Sequence, residues 1–163
     1  GGPKRRIYGV LGGWACTMVP LILFGVGQST WVWAAAAFGA GFFGPIINGS
    51  NQAIWQAKVA PDVQGRVFSV RGLIAQVTAP LGMLLAGPLA DQIFEPAMAP
   101  GGRLATAFGG LVTPGSGAGM GLMMALAGAA GLVLFIVAWS LPLVRNVEDS
   151  LPDHDMAVEP AAA

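Results

Sequence analysis

Hydrophobic residues fall in long uncharged runs along the chain. No Asp, Glu, Lys or Arg occurs from Ile7 to Ala57, and none from Gly72 to Ala90. About twenty residues at a rise of 1.5 Å cross the roughly 30 Å hydrocarbon core of a bilayer. The runs therefore predict membrane-spanning helices. The first run is too long for one helix, and Gly27-Gln28-Ser29-Thr30 is its natural break. The expected spans are residues 7–27, 31–52, 72–90 and 120–144. Trp31 and Trp33 open the second span where interfacial tryptophans sit. Pro20 is expected to kink the first span, and Pro45 with its neighbouring glycines to bend the second.

Between the second and third spans lies a charged island, Ala60-Pro-Asp-Val-Gln-Gly-Arg-Val-Phe-Ser-Val-Arg71. It is expected in a water-facing stretch, residues 53–71, made of a loop and the start of a helix. Pro61 suits a first helical turn, and Asp62 suits the positive end of that helix. Asp62 and Arg66 are four apart and can pair on one helical face. Arg66 and Arg71 precede an apolar run, where long cationic side chains reach lipid headgroups. Two roles stay open for the island: a solvated turn with anchoring arginines, or a loop that locks one conformation of a transporter.

The spans are not uniformly apolar. Asn48, Ser50, Asn51 and Gln52 crowd the second half of the second span, and Gln76 and Thr78 sit in the third. Asn48 and Gln52 share one helical face. Unpaired amides are costly in lipid, so that face is expected against other helices or a wet cavity. The fourth span is almost wholly apolar. Residues 91–119 form a Gly/Pro/Ala-rich connection, with 104–112 lying at the surface and 115–121 a flexible lead-in to the fourth span.

Composition agrees. Of 163 residues, 55% are hydrophobic and 10% charged, against about 25% charged in soluble domains. Net charge is zero, and no basic cluster interleaved with aromatics marks a nucleic-acid surface. The lipid bilayer is the expected partner. Basic residues give an orientation: Lys4, Arg5, Arg6, Lys58, Arg66, Arg71 and Arg145 fall on one side and only Arg103 on the other. The positive-inside rule then places both termini and the island in the cytoplasm. Residues 1–6 become a basic cytoplasmic loop, 91–119 the extracytoplasmic connection, and 145–163 an acidic disordered tail.

Catalytic chemistry is sparse. The single Cys16, inside an apolar run, is read as a small packing residue, and the single His154 lies in the acidic tail. No Ser/His/Asp set can be built around that His, and no enzyme, metal or cofactor is expected. Gly115-Ser-Gly-Ala-Gly-Met-Gly121 lacks the Lys-Ser/Thr of a phosphate loop. With no Met at position 1, the chain is read as truncated.

The run from Asn48 to Arg71 resembles major facilitator superfamily transporters. It is similar to the branch of bacterial drug and siderophore exporters that includes macrolide efflux proteins and the enterobactin exporter. There it lies between the tenth and eleventh of twelve helices. Ala79-Pro-Leu-Gly-Met-Leu-Leu-Ala-Gly-Pro-Leu-Ala-Asp91 resembles the eleventh, and Gly1-Gly-Pro-Lys-Arg-Arg6 the tail of a loop before the ninth. The resemblance implies an all-α membrane protein whose four transmembrane helices correspond to helices nine to twelve of a twelve-helix major facilitator carrier. It implies export of a small molecule by alternating access, in a bacterial plasma (inner) membrane, together with missing N-terminal helices of the same carrier. Asn48, Asn51, Gln52 and Gln76 are then substrate-cavity candidates. Asp62, Gly65, Arg66 and Arg71 are candidates for a cytoplasmic gate. The rival reading is a self-contained four-helix membrane protein, acting as an oligomeric structural subunit or a small multidrug carrier.

Overall fold

A computed structural model describes residues 5–150 and Asp153. The described residues are all-α. The long helices are α1 (Arg6–Val26), α2 (Thr30–Lys58), α3 (Pro61–Pro88) and α6 (Ala118–Ser140); α4 (Glu95–Met98), α5 (Arg103–Phe108), α7 (Pro142–Arg145) and α8 (Val147–Ser150) are single turns or little more. Among the described residues, four helices are long and apolar enough to cross a membrane, the third counted as one continuous stretch from Pro61 to Met98.

The α1–α2 break falls where the polar turn predicts it. Ser29 begins α2 with its hydroxyl accepting a hydrogen bond from the Val32 amide, 3.4 Å away. This is N-capping, which satisfies one otherwise open donor. Further on, α2 runs through Asn48–Gln52 to Lys58, and α3 begins at Pro61. Val59 and Ala60 alone separate the two helices, so most of the expected water-facing stretch is helical. The first three turns of α3 carry Asp62, Gly65, Arg66 and Arg71.

α1 is the centre of the bundle and packs against both α2 and α6. The contacts rest on missing side chains. A methyl group built on Gly13 would lie 2.7 Å from Ile47 Cγ1 of α2, and one on Gly25 would collide with the Gly121 carbonyl of α6. Small residues let helix backbones approach where lipid offers no hydrophobic driving force. Pro20 is buried in the α1–α2 seam, where a methyl group on Gly39 would lie 3.0 Å from its Cγ. Cys16, expected to pack, is exposed on α1. In a helix with 3.6 residues per turn, Cys16 falls between the positions that α1 turns toward α2 and α6.

α3 is different. It has no buried residue and does not pack along α1, α2 or α6. Leu73, Ile74, Val77, Leu81, Met83, Leu84 and Leu85 all stand exposed along it. Pro88 does not end it. The chain continues through a π-helical turn, Leu89–Phe94, into α4. Pro88 and Pro96 bracket that turn, and neither can donate a backbone hydrogen bond. Widening to the i→i−5 register, as in the Glu95 amide bonded to Ala90, keeps the helix going between them.

The connection after α3 is folded rather than loose. Met98, Val112, Ala118 and Leu122 are buried together, with Val26, Phe94, Leu104 and Phe108 around them. The segment 104–112, expected at the surface, supplies part of this cluster. The acidic tail also starts later than expected: α7 and α8 continue the chain, and Asp149 and Asp153 are ion-paired. The rest of the tail, with Glu159 and His154, and Lys4 near the start, lies outside the described residues.

Candidate functional site

Two features converge on α2: a joint with α3, and a line of amides above it that have no side-chain partner among the described residues. The joint is built by Gln64. Its side-chain amide donates to the Gln56 carbonyl at 3.1 Å and to the Val59 carbonyl at 2.9 Å. Those carbonyls belong to the last turn of α2 and its cap, which have no partners within their own helix. Sequence reasoning passed over Gln64; its place three residues into a Pro-initiated helix was the available signal. Pro61 starts α3, and the amides of Val63 and Gln64 return to the Ala60 carbonyl at 3.1 Å each.

Arg71 completes the joint. Its guanidinium carbon lies 4.4 Å from the ring centroid of Trp55 and 5.8 Å from that of Phe68. The ring faces attract the cation, by about 0.5–2 kcal/mol depending on solvent exposure. Arg66 and Asp62 are exposed, and no ion pair joins them among the described residues, although their i,i+4 spacing allows one. Exposed pairs on a helix are worth only about 0.3–0.5 kcal/mol, which side-chain entropy readily cancels. Gly65 is exposed too, and its carbonyl accepts from the Ser69 hydroxyl at 2.8 Å.

The four cavity candidates do not form one cluster by direct contact. Asn48 and Gln52 are both exposed on α2, one turn apart. Ile47, one residue before Asn48, meets Gly13 of α1, so α2 turns its amide face away from the packed seam. Asn51 is half-buried, and Gln76 is exposed on α3. None of the four makes a side-chain hydrogen bond among the described residues.

A second polar arrangement sits at the opposite end of the bundle. The Glu95 carboxylate accepts from the backbone amides of Gly117 at 2.5 Å and Gly119 at 2.9 Å. These amides open α6, where the helix dipole favours negative charge. Gly117 has φ +84°, a conformation glycine adopts without steric cost. Gly119 leaves no room for a side chain, because a methyl group there would overlap the Glu95 backbone. The glycine run is therefore a clamped helix start, not a flexible lead-in. Nearby, a cleft of about 310 Å³ is lined by residues including Val26, Gln28, Trp33, Val112 and Met124. Among the described residues, no group of three or more His, Cys, Asp or Glu side chains could hold a metal ion.

The chain is similar to Macrolide efflux protein A of Streptococcus pyogenes, with 39% identity over 49 residues. That stretch is 30% of this chain and 12% of the relative. The protein of the same name from Streptococcus pyogenes serotype M6 matches equally, again at 39% over 49 residues. No protein-family model matches, and no solved structure matches. The class defined by fold and similarity is thus a multi-pass α-helical membrane protein with partial similarity to a bacterial efflux protein.

Proposed function

We propose that this chain is part of a secondary active transporter of the major facilitator type, exporting a small molecule by alternating access. The observation that carries the reading is the bare, amide-bearing face of α2, joined to an α3 that does not pack along α1, α2 or α6. Asn48 and Gln52 are exposed on a helix long enough to span a bilayer. Lipid gives such amides nothing to bond, whereas a wet cavity or neighbouring helices do. α3, with no residue buried, has its faces free for further helices. The similarity to an efflux protein, over only 12% of that protein's length, supports the same picture of a piece of a larger carrier.

In this reading the four long helices stand where helices nine to twelve of a twelve-helix carrier stand, and α2 lines the central cavity. The basic end, with Arg5, Lys58, Arg66 and Arg71, faces the cytoplasm of a bacterial inner membrane. Substrate meets Asn48, Asn51, Gln52 and Gln76. Asp62, Gly65, Arg66 and Arg71 stabilise the state closed on the cytoplasmic side.

The test is transport by the complete carrier in everted vesicles, with Asn48→Leu and Gln52→Leu combined. The expected result is a loss or change of substrate export with folded protein retained. Unchanged export across several substrates overturns the cavity assignment.

A further inference from the structure

We propose that the stretch from Pro142 to Ser150, together with Asp153, is a strap that ties the basic ends of α1 and α2 together and restrains the α2–α3 joint. It crosses from the end of α6 to both helices. Arg5, at the start of α1, donates to the Asn146 side-chain oxygen at 3.0 Å and pairs with Asp149 at 2.9 Å. Lys58, the last residue of α2, donates to the Glu148 carbonyl at 2.7 Å and pairs with Asp153 at 2.9 Å. Tyr8 of α1 packs on Trp139 near the end of α6, with ring centroids 5.2 Å apart. Arg6 adds a direct tie to α2, donating to the Ala53 carbonyl at 3.1 Å.

The placement matters because Lys58 adjoins the two-residue joint. Whatever holds Lys58 holds the residue that leads into the joint between α2 and α3. The Lys58 side chain is only 15% exposed, against 40% for Asp153. The cation is therefore sheltered while its partners are brought to it by the strap. Removing the strap's carboxylates takes the Asp153 counter-charge away from that sheltered cation, which favours its movement into water. The strap does not depend on what the protein transports.

The test uses the full chain in detergent or nanodiscs, where both ends are reachable, with Cys16→Ser. A single reporter, Val147→Cys, sits half-buried in α8, and its labelling by a hydrophilic maleimide is timed. Asp149→Asn with Asp153→Asn is expected to speed labelling about tenfold, equivalent to about 1.4 kcal/mol. Without those substitutions, 1 M salt is expected to speed it likewise, since the screening length falls to about 3 Å. Lys58→Asp should release the strap and Lys58→Asp with Asp153→Lys should reseat it. A control reporter at exposed Ser116, at the opposite end, should not change in any of these. Salt-independent labelling in the parent, or no acceleration in the neutralised variant, overturns the strap.

Discussion

The guanidinium carbon of Arg71 lies 4.4 Å from the centroid of the Trp55 ring. One side chain comes from α3 and the other from α2, so this contact ties the two helices together across the joint. The pair is expected to show coupling in a double-mutant cycle of Trp55→Ala and Arg71→Ala, by about 0.5–2 kcal/mol. Arg71→Lys should retain part of it. Thermal unfolding of the purified protein in detergent gives the number, and strictly additive single effects would remove the contact from the account of the joint.

Arg66 provides the contrast. It is exposed and forms no ion pair among the described residues, so Arg66→Ala should change stability by less than about 0.5 kcal/mol. Under the proposed gate role, the same substitution in the complete carrier raises accessibility of a labelled cavity residue from the cytoplasm and alters turnover. Loss of folding or wrong orientation instead would make the arginine a topology anchor.

At the opposite end, Glu95 holds the first amides of α6 with both carboxylate oxygens. Hydrogen bonds to a charged group are worth about 1.5–3 kcal/mol. Glu95→Ala should lower stability by about that amount, with Glu95→Gln costing less because one acceptor oxygen remains. Gly119→Ala should be at least as damaging, since the added methyl meets the Glu95 backbone. Melting temperatures of the three variants in one detergent check the order.

Acid should loosen the strap. The hydrogen bond from Lys58 holds the Asp153 carboxyl below its ordinary value; desolvation opposes this, and the charges of Lys58 and Arg6 add to it. Because the seated pKa is depressed, the contribution is fully present above the ordinary carboxylate value. It is lost as pH falls through the depressed one. Labelling of Val147→Cys, corrected for thiol ionisation, should therefore be flat around neutrality and accelerate only in strong acid. A transition near pH 6–7 would assign the release to another group.

The four long helices and their first break were legible because lipid demands uncharged runs of fixed length. Ser29 and Pro61 mark helix starts by local chemistry that needs no tertiary information. Gln64 and Glu95 were not legible as joint and clamp, because their acceptors and donors are backbone groups placed by the fold. The folded start of the tail was missed for a related reason. Glu148, Asp149 and Asp153 read as a solvated acidic stretch until Arg5 and Lys58, far away in sequence, are brought beneath them. Asp62 and Arg66 show the converse, where correct spacing forms no pair. As for the site, the sequence marks Asn48 and Gln52 as one face, and α2 leaves that face bare; spacing alone does not name what covers it.

Orientation has its own check. In the Cys16→Ser background, a cysteine at position 64 should be labelled only from the cytoplasmic side, and one at position 116 only from outside. The reverse pattern would invert the proposed topology while leaving the strap and the clamp untouched.

The most direct measurement is water access along α2 in the complete carrier. Single cysteines at positions 48 and 52 are compared with cysteines at 134 and 137 on the apolar face of α6, where Leu134 and Val137 are exposed. The account predicts that a water-soluble thiol reagent modifies 48 and 52, that transported substrate slows this modification, and that 134 and 137 stay inert. If 48 and 52 are as inert as 134 and 137, with the protein folded, then that face of α2 does not line a cavity and the carrier reading is contradicted.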